Sequence, residues 1–161
     1  MSESKGIGIF GGTFNPIHWG HINSIKTVKK KIPLESLFVV PAYLSPGRSR
    51  VEGPTPMQRL EMVQAAFSEG FPGVEVDDFE IEQEGWSYTI RTLRQYQQRY
   101  IGKDLYLIIG MDQFEYFDHW KDFEQILEMA HLVVTSRPGL SLPQDLEEFP
   151  EDVVELVTEF E

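Results

Sequence analysis

Short apolar runs alternate with amphipathic stretches along most of this chain. Five of the runs have the length of a buried strand and are bounded by turn-forming or polar residues. These predicted strands are Ile7–Phe10, Leu37–Val40, Val74–Val76, Leu105–Ile109 and Leu132–Thr135. Most are apolar at consecutive positions, as strands covered on both faces are, so they favour a parallel sheet.

Helical periodicity fills the segments between these strands. One predicted helix follows His21 and ends near Lys31, and a second has Thr55 as its N-cap and Pro56 as its first residue. The second helix carries an apolar stripe that is expected to face the core: Met57, Leu60, Val63 and Phe67. Ser87 is expected to cap a third helix, and a fourth runs through Ile126.

The alternation of strand and helix predicts the fold class. No internal repeat or linker divides the chain, so residues 1–161 are expected to form a single domain. We expect a Rossmann-like, doubly wound α/β fold with about five parallel strands and helices on both faces. Phe79–Ile81 continues an alternating pattern that is typical of an edge strand.

The C-terminal stretch is strongly acidic. Residues 140–161 hold eight Asp and Glu and no Lys or Arg. Helical spacing in this stretch predicts an amphipathic helix starting at Pro150, and its apolar residues are Val153, Leu156, Val157 and Phe160.

Composition and charge exclude several classes of function. Residues 1–59 carry eight Lys and Arg against three Asp and Glu, whereas residues 60–161 carry six against twenty-three. The net charge of −12 makes a general nucleic-acid binder a poor fit, because that affinity comes mostly from phosphate neutralisation. There is no cysteine for a disulfide or a thiolate metal site. No apolar run suits a signal peptide or a membrane span, so we expect a cytoplasmic protein; a homo-oligomer is left open.

The chemistry is concentrated between Phe10 and His21, where the sequence reads FGGTFNPIHWGH. A predicted strand leads into Gly11-Gly12, which is expected to let the backbone turn sharply and approach a ligand. Asn15-Pro16 is a second turn signal, and two histidines then open a helix. This order brings backbone N–H groups, a helix N-terminus and two imidazoles together, which suits a phosphate group.

These residues resemble the nucleotidyltransferase signature (S/T)-F-x-P-x-H-x-G-H. They look most like the bacterial nicotinate mononucleotide adenylyltransferases, whose opening usually reads GGTFDPIHxGH; Asn15 replaces the aspartate. The resemblance implies that His18 and His21 donate to phosphates in the transition state and that Thr13 contacts the α-phosphate. The further residues that it places around ATP are Gly11, Gly12, Phe14, Gly20, Gly110 and Asp112.

Later motifs extend the resemblance over roughly residues 6–139. A serine-tyrosine-threonine turn holds the nicotinate carboxylate in relatives, which implies that Ser87, Tyr88 and Thr89 do so here; from this segment alone, an ordinary capped helix is the simpler interpretation. In the family's G-x-D…F-x-x-W pattern, Trp120 either stacks on the pyridine ring or belongs to the core, and the neighbouring glycine and aspartate favour stacking. The mononucleotide site implied by the resemblance also includes Asp112 and Arg137. Arg59 also matches the family, as a structural salt-bridge partner.

Two departures from the family pattern stand out. The loop after Val40 lacks the usual Pro-His-Lys element, and Arg48 or Arg50 is left to supply the basic charge. Nothing after Gly139 matches the I-S-S-T-x-I-R motif that holds the ATP phosphates in relatives. Either the sequence is a truncated product, or the lineage has lost or replaced half of its ATP site.

The resemblance implies adenylyl transfer from ATP to nicotinate mononucleotide, yielding deamido-NAD and pyrophosphate. Mg²⁺ is expected to arrive with ATP and to need no dedicated set of protein ligands. Two alternatives remain: a related adenylyltransferase with another phosphate acceptor, such as pantetheine phosphate or the amidated nucleotide, and a nucleotide-binding module with impaired catalysis. A dinucleotide-dependent oxidoreductase is disfavoured, because no G-x-G-x-x-G turn follows the first strand.

Overall fold

The protein is an α/β domain built on one parallel sheet. The computed structural model describes residues 5–46, 53–136 and 154–157. The strands are β1 (Gly6–Gly12), β2 (Leu34–Pro41), β3 (Val74–Val76), β4 (Leu105–Gly110), β5 (His131–Ser136) and β6 (Val154–Val157). The helices are α1 (Trp19–Lys31), α2 (Pro56–Ala66), α3 (Phe79–Gln83), α4 (Thr89–Arg99), α5 (Met111–Phe114) and α6 (Phe123–Met129), with a 3₁₀ turn at Phe117–His119.

The strand order is β3-β2-β1-β4-β5-β6, and every neighbouring pair is parallel. The first two crossovers move outwards from β1 through β2 to β3, and the next ones move the other way through β4. The order therefore reverses between β1 and β4, as in the dinucleotide-binding arrangement of doubly wound sheets. This confirms the predicted fold class, with one strand more than the five that the sequence indicated.

Helices on both faces bury the central strands. Ile7 and Ile9 of β1 lie in one apolar cluster with Leu93 of α4. Phe10, which points to the opposite face, lies in a second cluster with Ile25 of α1. Because both faces are covered, consecutive residues of β1 and β4 are apolar, and this is why their strands were readable as unbroken apolar runs.

The second helix begins as predicted. The Thr55 hydroxyl accepts the backbone N–H of Gln58 at 3.2 Å, and the Gln58 side chain accepts the N–H of Thr55 at 2.9 Å. This reciprocal capping box fixes the start of α2 at Pro56. The expected core position of Met57 is wrong: its side chain is 51% exposed, because the first turn of α2 lies at the surface with Thr55 and Gln58.

Two other secondary-structure predictions are wrong. Phe79–Ile81 belongs to helix α3, whose first N–H is accepted by Asp77 Oδ1 at 3.0 Å. Glu80 and Ile81 are both buried although they are adjacent, which an alternating edge strand does not allow. Val154–Val157 is strand β6, not part of a helix, because its backbone pairs with the otherwise open edge of β5. The remainder of the predicted C-terminal helix lies outside the described residues.

Candidate active site

The carboxyl ends of β1 and β4 meet at the point where the strand order reverses. In open parallel sheets this crevice is where ligands bind. Here the chain leaves β1 at Gly12, turns through Thr13 to Pro16, and enters α1 at Trp19. The HWGH segment therefore stands directly beyond the end of β1, as the sequence predicts.

The turn itself differs from the prediction. Gly11 and Gly12 are the last residues of β1 and pair with Val40 and Pro41 of β2, so they do not form the turn. The reversal is made further along, where Phe14 has a left-handed φ of 52°. A β-carbon at Gly12 would come within 3.2 Å of the Phe14 ring, so this glycine leaves room for that turn.

The two histidines cap α1 reciprocally. His18 is the N-cap residue, and its Nδ1 accepts the backbone N–H of Gly20 at 3.1 Å. Nδ1 of His21 in turn accepts the backbone N–H of His18, also at 3.1 Å. The two rings stack with their centroids 3.8 Å apart. We call His18, Gly20 and His21 the histidine cap; it is a capping box in which imidazoles replace the usual hydroxyl and carboxamide groups.

These hydrogen bonds determine which ring nitrogen can donate to a ligand. A neutral imidazole carries its proton on one nitrogen and accepts on the other. Since each Nδ1 accepts a backbone N–H, each neutral ring must carry its proton on Nε2. Burial, with a further effect from the neighbouring His18, lowers the pKa of His21 from 6.5 to about 4. His21 is therefore neutral at physiological pH and offers an Nε2–H donor.

Packing fixes the ring of His21. The Phe14 ring meets it edge-to-face at a centroid distance of 4.9 Å, and Phe10 approaches it at 6.2 Å. The Phe14 side chain is buried in the core, so of the predicted ATP contacts of Phe14 only a backbone contact is compatible with this packing. A β-carbon at Gly20 would lie 2.9 Å from Cε1 of His18, so this glycine is needed by the cap itself.

Gly11 and Gly110 differ from the other glycines of the site. A β-carbon built on either one meets no atom of the described structure within 4 Å. They lie at the ends of β1 and β4, on the two sides of the crevice. Packing among the described residues does not explain these glycines, and the open space there leaves their backbone accessible to a ligand.

The Arg59 side chain is hydrogen-bonded to the segments that follow both β1 and β2. It is 5% exposed, and its NH1 donates to the carbonyl of Thr13 at 2.7 Å and to that of Ala42 at 2.6 Å, while NH2 donates to the carbonyl of Tyr43 at 2.9 Å. Its burial lowers its pKa. No carboxylate pairs with it within the described ranges, so the predicted salt bridge is replaced by three backbone carbonyls. The Thr13 hydroxyl also contacts the hydroxyl of Ser45, on the loop after β2.

The same loop reaches the predicted mononucleotide residues. Ser87 Oγ accepts the backbone N–H of Tyr43 at 2.8 Å, and the Ser87 N–H donates to the carbonyl of Leu44 at 2.8 Å. These bonds occupy Ser87, so it is not the N-cap of α4; that position belongs to Tyr88, whose side chain makes no capping bond. We call Ser87–Thr89 the 87–89 turn.

Two cationic side chains flank this turn. The ammonium group of Lys121 lies 4.7 Å from the centre of the Tyr88 ring, and the guanidinium of Arg91 lies 5.9 Å from it. Lys121 directly follows Trp120, which is half-buried against Phe117 at a ring distance of 5.1 Å. The structure thus brings the 87–89 turn close to the segment that carries Trp120. Both predicted readings of Trp120 remain open, because part of its ring packs on the core and part is exposed.

Asp112 and Gly110 lie at the carboxyl end of β4, as expected. The backbone N–H of Gly110 is 3.2 Å from Oε1 of Gln113, so this side chain holds the start of α5. Asp112, in the first turn of α5, is exposed. Arg48, Arg50 and Arg137 lie outside the described residues.

Comparison with known proteins identifies the family of this chain. The sequence profile described as "cytidylyltransferase-like" matches residues 9–158. The chain belongs to the cytidylyltransferase-like family. A "probable nicotinate-nucleotide adenylyltransferase" of Shewanella sp. (strain MR-7) is 39% identical over 138 residues, which cover 86% of this chain and 64% of that protein. One from Desulfitobacterium hafniense (strain Y51) is 34% identical over 153 residues, covering 95% and 73%.

A solved structure shows the same fold as this cytidylyltransferase-like chain. It is the Plasmodium falciparum nicotinic acid mononucleotide adenylyltransferase complexed with NaAD, at a TM-score of 0.77 and 18% identity, over 95% of this chain and 74% of that one. These findings confirm the family resemblance drawn from the sequence. The chain spans 64% of the length of the Shewanella relative, so the activity of the whole protein is a matter for proposal.

Several residues that organise this family member's site were not predicted from the sequence. Glu80, Gln113 and Lys121 carried no motif, and Ser45 was one serine in a loop rich in serine, proline and glycine. Ser24 also escaped notice: its hydroxyl donates to the carbonyl of Gly20 at 3.0 Å. The helical spacing of Gly20 and Ser24 is a signal that could have revealed that last contact.

Proposed function

We propose that this chain catalyses adenylyl transfer from ATP to nicotinate mononucleotide. In the reaction, a phosphate oxygen of the mononucleotide forms a bond to the α-phosphorus of ATP. The bond between that phosphorus and the bridging oxygen to the β-phosphorus breaks, and pyrophosphate leaves. The product is nicotinate adenine dinucleotide. The names of the relatives and the complex of the Plasmodium falciparum enzyme with NaAD support this choice of substrates.

The observation that carries the proposal is the histidine cap. Both imidazoles use Nδ1 to hold the backbone, and their Nε2–H groups are left for a ligand at the N-terminus of a thirteen-residue helix. Preorganised donors at a helix N-terminus favour a phosphate group that gains negative charge. We assign His18 and His21 as the catalytic donors and Thr13 as a contact of the α-phosphate.

The reaction needs no strong base. The attacking phosphate is already anionic, so catalysis consists of positioning and of stabilising the developing charge. The low pKa of His21 suits this role, because a neutral ring keeps a fixed hydrogen-bond pattern and does not exchange its proton with the phosphates. Gly11 and Gly110, with open space above them, let the triphosphate approach the ends of β1 and β4. Gly12 and Gly20 act indirectly, by leaving room for Phe14 and His18.

The 87–89 turn supports an anionic acceptor. The Tyr88 side chain leaves the first turn of the eleven-residue helix α4 uncapped, so an anion can accept from its N–H groups. Lys121 and Arg91 add positive charge beside the Tyr88 ring. We assign the nicotinate carboxylate to this place, the pyridine ring to Trp120, and ribose hydroxyls to Asp112. Arg48 and Arg137 stay predicted contacts of the phosphates and the mononucleotide.

Magnesium is treated as part of the substrate, MgATP. In the described part of the chain, no three His, Asp or Glu side chains are grouped so as to hold a metal ion. An ion bound by ATP oxygens and water needs no such protein group. Within the same residues, no helix is long and apolar enough to cross a bilayer. We place the reaction in the cytoplasm, where ATP is available.

Product analysis tests the proposal. The full chain is incubated with MgATP and, in parallel, nicotinate mononucleotide, nicotinamide mononucleotide or pantetheine phosphate, and pyrophosphate and the adenylylated product are both quantified. We expect equimolar pyrophosphate and dinucleotide, with the nicotinate substrate preferred. Faster turnover of pantetheine phosphate would assign the chain to another acceptor. Binding of both substrates without pyrophosphate release would favour the nucleotide-binding module.

A further inference from the structure

A buried carboxylate lies behind the 87–89 turn. Glu80, the second residue of α3, is 8% exposed, and its Oε2 accepts the hydroxyl of Thr92 at 2.7 Å. The Ser87 hydroxyl is a second polar neighbour, and it lowers the pKa of this carboxyl. Among the residues described, no Lys, Arg or His pairs with it. Burying a carboxylate without a cation is costly, and the Thr92 hydroxyl bond offsets only part of that cost.

Ser87 links this carboxylate to the loop after β2. Its Oγ accepts the N–H of Tyr43, so the hydroxyl proton of Ser87 is the one that can be donated to Glu80. Tyr43 therefore donates to Ser87, the Ser87 hydroxyl can donate to Glu80, and Thr92 donates to Glu80 from the start of α4. The carboxylate thus fixes the 87–89 turn at both its loop side and its helix side.

Glu80 is not expected to contact the ligand directly. It lies beneath Ser87 and Thr92, and its burial keeps it away from the crevice. We infer that Glu80 is a positioning residue, whose ionised carboxylate orients the 87–89 turn and thereby raises the affinity for the mononucleotide acceptor. This inference rests on the proposed function, because it concerns the acceptor side of that same site.

The protonation state of Glu80 distinguishes a positioning role from a purely structural role. Burial raises its pKa from 4.5 to about 7; the hydrogen bonds from Thr92 and Ser87 oppose this, and the nearby Asp77 reinforces it. Asp77 is itself engaged by Arg99 at 3.1 Å and by the Tyr96 hydroxyl. A protonated carboxyl must donate one hydrogen bond, so it can no longer accept both hydroxyls in the same way.

Stability and affinity should then respond to pH in opposite directions. Because the pKa is raised on folding, the stability that Glu80 contributes is fully present below pH 4.5 and is lost as pH rises through about 7. Acceptor affinity instead rises over the same interval, as the carboxylate forms. A carboxyl group with only a structural role would make affinity follow stability.

Calorimetric titration of the full chain with nicotinate mononucleotide at pH 6, 7 and 8 tests this. From pH 6 to 8 the ionised fraction of Glu80 rises from about one-tenth to about nine-tenths, so affinity should rise by up to roughly tenfold from this group. Glu80→Gln should remove that rise and bind weakly at pH 8. Glu82→Gln, on the exposed side of the same short helix, is the matched control and should keep it. All three proteins share the titration of the ligand's own phosphate.

Thr92→Val gives a second test that does not depend on Glu80→Gln folding well. Loss of this donor destabilises the carboxylate, so the affinity step should move to higher pH and be retained in size. Equal pH profiles of affinity for the wild type, Glu80→Gln and Thr92→Val would overturn this inference and leave the proposed function intact. A wild-type chain that binds no nicotinate mononucleotide at any of the three pH values would instead contradict the proposed function, and the role of Glu80 with it.

Discussion

The histidine cap and the 87–89 turn lie at the same edge of the sheet but are held in different ways. The cap is fixed by hydrogen bonds between residues two and three positions apart, and its side chains are two imidazoles. The turn is fixed by bonds that span up to 44 residues, from Tyr43 to Ser87, and it has charged groups around it. Substitutions in the cap should therefore lower kcat, whereas substitutions in the turn should displace or weaken the binding site for the acceptor.

The largest effect is expected at the cap. His21→Ala removes a preorganised Nε2–H donor and should lower kcat by roughly a hundredfold or more, with little change in the KM for the mononucleotide. His119→Ala is the matched control, since this histidine is exposed and lies outside the cap. Steady-state pyrophosphate release measures both parameters. A rise in KM at constant kcat would assign His21 to ground-state binding.

Arg59 connects the two regions, so its loss should affect both. Arg59→Leu would leave the carbonyls of Thr13, Ala42 and Tyr43 without their donor and should destabilise the fold by about 2–3 kcal/mol. Urea unfolding gives the free energy, and Arg94→Leu, at an exposed position on α4, is the control. Below the unfolding transition, kcat and the mononucleotide KM should both worsen. An effect confined to one of them would show that the β1 and β2 ends move independently.

Gly20 offers a subtler way to disturb the cap. Alanine normally favours a helix over glycine, but here its β-carbon would lie 2.9 Å from the His18 ring. Gly20→Ala should therefore fold well and lower kcat by about tenfold, through displacement of His18.

Gly11→Ala provides the contrast. Its β-carbon meets nothing in the described structure, so stability should not change, and the KM for ATP should rise because the ligand loses room. Thermal unfolding combined with steady-state kinetics separates the two variants. Unchanged kcat in Gly20→Ala would show that His18 tolerates displacement.

The smallest effect is expected at the turn's cations. Lys121→Ala should reduce the preference for nicotinate over nicotinamide mononucleotide by roughly three- to fivefold, since an exposed charge contributes up to about 1 kcal/mol. The ratio of kcat/KM for the two acceptors is the readout, and the exposed Lys26 on α1 gives a control for lost charge. Equal losses for both acceptors would remove Lys121 from the selection of the carboxylate.

The same contrast explains what the sequence revealed. The order of strand, turn and histidines was readable because the hydrogen bonds that form the histidine cap join residues only two and three positions apart. The residues that support the 87–89 turn were not readable, because Glu80 approaches it from α3 and Lys121 from the segment before α6, and neither contact is visible in the sequence. For the same reason Ser87 looked like an N-cap: its Tyr43 partner lies on a different element.

The secondary-structure errors have a similar origin. The pattern around Phe79 alternates locally, yet Asp77 holds the first N–H of α3 and packing buries Glu80 and Ile81 together. The apolar residues near Val154 fit a helix as well as a strand, and the open edge of β5 decides between them. In both cases a tertiary partner outweighs a short local pattern.

The account depends most on His21 donating through Nε2 as a neutral ring. Nitrogen NMR of ¹⁵N-histidine-labelled protein reports both the tautomer and the pKa of each ring. We predict an Nε2–H tautomer that persists as pH falls from 8 to 5 and a pKa near 4, with the stability contributed by His21 present above pH 6.5 and lost as pH falls towards 4. A proton on Nδ1, or titration near 6.5, would contradict the cap as the source of the phosphate donors.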